Sequence, residues 1–192
     1  MRTIVDHLEE VLGLIVGGWG SDPDGRKLPL QIAQFANGPV AGTGALATIG
    51  LSNHALAMGD GRSVRQELVM VFRNEDGPRN LPAVMQHVAM SALDQHRAYL
   101  RGDIIGPRGP LFSGSRYEAL YVAIPVYFPD SFRLFRPDTG DPIVMAWLVP
   151  ITHGEAHLIQ RRGWSFFEDQ LEAQDPDLLA SDRAGVDVPF RD

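Results

Sequence analysis

Two histidines four residues apart, in His153-Gly-Glu155-Ala-His157, have the spacing in this chain that comes nearest to a metal site. Residues at i and i+4 share a helix face, so a helix here would offer one ion two imidazoles. Glu155 cannot join them as the glutamate of a His-Glu-x-x-His zinc helix does, because it lies about 200° round a 3.6-residue turn from His153. Thr152 and Glu155 instead have the spacing of a capping box, in which threonine and glutamate satisfy each other's backbone amides. That explains Glu155 without chemistry and leaves a metal-dependent hydrolase using His153 and His157 as the alternative functional reading.

The other candidates are weaker. Gly42-Thr-Gly44-Ala-Leu-Ala47 mimics a truncated dinucleotide fingerprint. A phosphate site needs a helix to open at those glycines, and Ala45 to Leu51 reads as a strand, so a tight hairpin is expected. Ser52-Asn-His54 and Ser113-Gly-Ser115 contain possible nucleophiles and bases but no Gly-x-Ser-x-Gly elbow, and both suit turns. His96 falls in register with Val88, Ala92 and Tyr99, so it is expected to border the core, with His87 partly exposed beside that stripe. Trp147, Trp164, Phe166 and Phe167 are expected in the core. No residues assemble a recognisable catalytic site, and no cofactor is expected.

These residues must be positioned by a small set of elements. Thr3 and Asp6 make a cap-like start, and Ile4, Leu8, Val11, Leu12 and Ile15 recur at helical spacing until Gly17-Gly18. Three β-like runs follow, Leu30 to Phe35, Ala45 to Leu51 and Glu67 to Phe72, which read as an antiparallel meander. A long helix is expected from Leu81, with Pro82 in its first turn, to near Gly102. Strands are expected at Glu118 to Phe128, where Pro125 implies an edge or a bulge, and at Ile143 to Val149, stopping at Pro150. A C-terminal helical segment follows, and the charged tail from Asp175 to Asp192 is expected to wrap or fray. The fold class is therefore α/β in the α+β sense, a mixed or largely antiparallel sheet with packed helices in a single domain over residues 1–192.

Composition narrows the function classes. A net charge of −7 disfavours nonspecific nucleic acid or anionic membrane as a partner, since both attract basic surface. The absence of cysteine excludes disulfides, thiolate nucleophiles and cysteine metal sites. Acids interrupt the N-terminal segment where a signal peptide is apolar, and no stretch approaches the ~20 apolar residues of a membrane span. A cytoplasmic protein is the expectation.

Taken in order, several segments resemble the suppressor of fused domain. They are Ala47-Thr-Ile-Gly-Leu-Ser52, Gln66 to Arg73, Leu81-Pro-Ala through Met85-Gln86 to Gly102-Asp103, Ile143 to Glu155, Trp164 to Leu171, and Asp182-Arg183, together covering about residues 28–185. The resemblance implies an α/β sandwich that binds protein partners and catalyses nothing. Animal members restrain Hedgehog-pathway transcription factors by gripping a short peptide through strand addition between two lobes. This chain is too short for the second lobe. Bacterial single-domain members look like immunity proteins of toxin systems, which implies a toxin domain or an extended peptide as partner. Asp103 matches the aspartate with which the animal proteins hold a peptide histidine, and Ser91 stands where the family has its peptide-contacting tyrosine.

Overall fold

The computed structural model describes residues 2–22 and 24–187. Helix α1 (Ile4–Leu12) opens with the expected capping box between Thr3 and Asp6. It stops at Gly13, whose left-handed φ of 72° turns the chain while its amide closes the last turn on Glu9. Ile15 is therefore not on the helix: Ile15–Ser21 forms strand β1, and the glycines at 17 and 18 lie within it.

Strand β2 (Lys27–Phe35) pairs antiparallel with β1, β3 (Thr43–Ile49) with β2, and β5 (Ser63–Arg73) with β3, so the meander is borne out. The connection before β3 is longer than a tight hairpin, running from Ala36 to a left-handed Gly42. Gly44 then lies inside β3, where a Cβ would meet the Phe72 ring at 2.6 Å. No helix opens at these glycines, so they cradle no phosphate. Short β4 (Leu56–Ala57) folds back on β5.

Helix α2 (Leu81–Asp94) begins with Pro82 in its first turn and ends eight residues before Gly102. His96 is the reason. It adopts φ 49°, and the amides of His96 and Arg97 bond back to Leu93 and Ala92, closing the helix in a left-handed cap. His96 is consequently exposed rather than bordering the core, while His87 is exposed as expected. Tyr99 returns from beyond the helix, with its hydroxyl 3.3 Å from the Val88 carbonyl.

Strand β6 (Ile104–Ile105) is followed by β7 (Tyr117–Ala123), which ends before Pro125 and lies inside the sheet between β6 and β9. Pro125 thus marks the end of a strand rather than an edge or bulge. Short β8 (Leu134–Phe135) precedes β9 (Ile143–Thr152), which continues through Pro150 instead of stopping there. Proline is tolerated because β5 accompanies β9 only as far as Trp147, leaving Pro150 paired on the β7 side alone. Helices α3 (His153–Arg162) and α4 (Trp164–Gln174) follow, α3 with the expected Thr152–Glu155 capping box.

The main path of the sheet runs β1-β2-β3-β5-β9-β7-β6, antiparallel except where β5 and β9 run parallel. Both faces are covered. Alternate residues of β5 and β9, Leu68, Met70, Ala146 and Leu148, pack towards α2 with Met85, Val88 and Ala92. Their neighbours Val69, Met145, Trp147 and Val149 join Leu8, Phe132, Ile159 and Phe167 on the other face. Each fully buried large apolar side chain contributes about 1.5–3 kcal/mol, so these two layers stabilise the frame from which everything else projects. Of the four aromatics expected in the core, Trp147 and Phe167 are buried. Trp164 is 39% exposed and lies under the Arg101 guanidinium, and half-buried Phe166 is capped by Arg162.

Candidate functional site

The sheet ends at β6, whose outer edge is unpaired among the described residues. The left-handed end of α2 throws the chain from His96 through Gly102 so that Ile104 and Ile105 run beside that helix with a groove between them. Two adjoining hollows make up the groove. One, of about 320 Å³, is mainly apolar, between Val84 and Val88 of α2 and Ile105, Pro110, Leu111 and Leu120. The other, of about 280 Å³, is lined by His87, Ser91, Gln95, Arg97, Tyr99, Ile104 and Arg108. The Arg108 guanidinium lies 3.3 Å from His87 Nε2, so one contact spans the groove where the hollows meet.

The two residues singled out by resemblance stand at the polar end. Ser91 lines the groove and accepts a hydrogen bond from Gln95 Nε2 at 2.9 Å. Asp103 sits just before β6. Its carboxylate accepts the Leu100 amide at 3.0 Å and is 3.4 Å from Arg97 Nη2, and its carbonyl accepts the Val122 amide at 3.0 Å. Asp103 therefore both shapes the turn and fixes Arg97.

His153 and His157 do share a helix face, with ring centroids 4.5 Å apart, and His153 Nδ1 lies 3.2 Å from Glu118 Oε2. Glu155 points the other way, buried against Arg183. Among the described residues, no cluster of three or more His, Asp or Glu is arranged to hold a metal ion. Two of the three serines in the turn motifs are engaged in these turns: Ser52 donates to Glu67 Oε1 at 2.6 Å, and Ser115 Oγ accepts the Tyr117 amide at 2.9 Å.

Sequence reasoning missed His87, Arg97 and Arg108 as members of one site, because extending α2 to Gly102 placed Arg97 on a helix and left β6 unseen. It also passed over Glu67, although a carboxylate inside an apolar strand is a signal. Burial pushes its carboxyl up while donors from Ser52, Thr48 and Gly50 pull it down, with the burial effect prevailing.

The sequence profile of the suppressor of fused protein matches residues 26–184. The chain belongs to the suppressor of fused family. Solved structures share its fold. A suppressor of fused homolog from Neisseria gonorrhoeae superposes with a TM-score of 0.71 at 17% identity, covering 97% of this chain and 96% of that one. A chain of the Sufu–Fu complex gives 0.67 at 18% identity, over 95% and 90%. Drosophila Suppressor of Fused also gives 0.67 at 18% identity, and there this family member spans half of the longer chain. No curated protein is detectably similar in sequence. The expected sandwich, a mostly antiparallel sheet with helices on both faces, is thus the suppressor of fused architecture.

Proposed function

We propose that this chain is a non-enzymatic protein-binding module that holds an extended partner segment along the free edge of β6. The observation that carries this is the unpaired edge facing a groove walled by α2, an arrangement in which an added strand gains backbone hydrogen bonds and its alternate side chains enter the hollows. The existence of a Sufu–Fu complex for a protein of this fold supports a protein partner. Ser91 forms part of the wall, and Asp103 anchors the end of the groove.

Peptides selected from a random display library should slow hydrogen exchange at Ile104, whose amide faces the free edge while that of Ile105 faces Leu120 of β7. Ser91→Trp, which fills the groove, should abolish their binding without lowering the thermal midpoint. Selected binders that leave the Ile104 amide unprotected and tolerate Ser91→Trp would overturn the assignment.

The partner we favour is a toxin domain, neutralised by this chain in the cytoplasm of a bacterium. The likeness to a gonococcal homolog of nearly equal length and the acidic composition support that reading. It is checked by the neighbouring gene, expected to encode a large secreted protein with a variable C-terminal domain, and by rescue of growth when that domain is co-expressed with this chain. A metal-dependent hydrolase built on His153 and His157 finds no comparable support, since Glu155 is spent on Arg183.

A further inference from the structure

The groove has the opposite electrical character to the chain that carries it. The protein has a net charge of −7, yet the polar hollow is lined by Arg97, Arg108 and His87 and by no carboxylate. The nearest acids are turned to other tasks. Asp103 lies outside the lining and holds the Leu100 amide and Arg97, and Glu118, in the apolar hollow, lies 3.2 Å from His153. Arg108 enters no ion pair among the described residues, its one side-chain contact being the imidazole of His87. An exposed guanidinium with free N–H groups, set beside an unpaired strand edge, is a fork waiting for a carboxylate.

We propose that the segment this groove takes is acidic, its carboxylates bound by Arg108 and Arg97 while its backbone extends the sheet at β6. This rests on the groove being the partner site, and it specifies the chemistry of the occupant. An incoming carboxylate would take the Arg108 guanidinium from His87 and so open the contact that now spans the groove. Lysine or arginine at the same point would face two guanidiniums at close range and be repelled. The acidity of the protein as a whole and the cationic lining of the groove then act together, the first discouraging acidic chains elsewhere on the surface and the second accepting one here.

The test uses three capped peptides of equal length that alternate valine with glutamate, glutamine or lysine. The glutamate peptide should bind with protection of the Ile104 amide, at least roughly tenfold more tightly than the lysine peptide. Arg108→Glu should reverse that order, and Arg108→Gln should level it. Both are exposed substitutions, and unchanged circular dichroism and thermal midpoint would show the fold intact. If the lysine peptide bound as tightly as the glutamate peptide with that amide protected, the proposal would fail while strand addition at β6 stood. If none of the three protected β6, the proposal and the reading beneath it would fall together. Glutamate-peptide binding indifferent to both Arg108 variants would place the acidic site elsewhere.

Discussion

Arg183 and Glu155 are joined inside the protein by two hydrogen bonds, Nη1 to Oε1 at 2.5 Å and Nη2 to Oε2 at 3.1 Å, with side chains only 5% and 1% exposed. The same carboxylate accepts the amides of Thr152 and Val186 and the hydroxyl of Thr152. One side chain therefore closes the cap of α3 and pins the C-terminal segment across it. The tail wraps back through Asp187, whose amide and carbonyl both meet the Gln174 side chain; the rest of the expected tail, 188–192, lies outside the described residues.

Arg183→Ala would leave the Glu155 carboxylate buried without its cation and should lower stability by about 3–5 kcal/mol in denaturant unfolding. A loss below about 1 kcal/mol would show that the pair is not the anchor of the segment.

Glu67 is held by Thr48 and Ser52 hydroxyls and by the amides of Gly50 and Ser52, tying β5 to the turn after β3. Glu67→Ala strands these donors in a dry site and should cost about 3 kcal/mol or more. Glu67→Gln keeps an acceptor for the amides and should cost about 1 kcal/mol, measured in the same unfolding series. Equal costs would mean that packing volume, not hydrogen bonding, sets the effect.

His7 is buried between the rings of Phe132 and Phe135, and its Nε2–H donates to the Phe132 carbonyl at 3.0 Å. Burial holds the imidazole below its ordinary value of 6.5. A lowered folded-state value means that the unfolded chain binds the proton more readily. The stability contributed by neutral His7 is thus complete above that ordinary value and is lost as pH falls through it. Thermal midpoints should drop between about pH 7 and 5 in the wild type. The drop should flatten in His7→Gln, and an identical profile in both would remove His7 from this role.

Asp103→Asn preserves size and most of the turn but removes the charge that holds Arg97. Stability should fall by about 1 kcal/mol while the valine–glutamate peptide binds no more weakly. Tenfold weaker binding at unchanged stability would instead make Asp103 a direct contact to the partner.

The parts of this architecture that sequence revealed are those fixed by local rules. The capping boxes of Thr3 and Thr152 and the strands of the meander were legible because side-chain period and cap chemistry act within a few residues. The left-handed turn at His96 was not, because a histidine at positive φ carries no compositional mark. Continuation of β9 through Pro150 was hidden for a different reason: whether a proline is tolerated depends on where the neighbouring strand stops. The turn at His96 lies at the groove itself, so His87, Arg97 and Arg108 could be gathered only once the helix end and the edge strand were in place.

The parallel joint between β5 and β9 sets an order of assembly. It pairs Arg65 with Ile143, whereas each of β1, β2 and β3 pairs with the next strand of the meander, and β6 with the nearby β7. Contacts between neighbours in sequence form quickly, and closing a long intervening loop comes late. The meander can therefore exist before the groove does, and the groove matures only when β9 locks onto β5. On a ribosome, the binding surface is consequently delivered only after β9 has emerged.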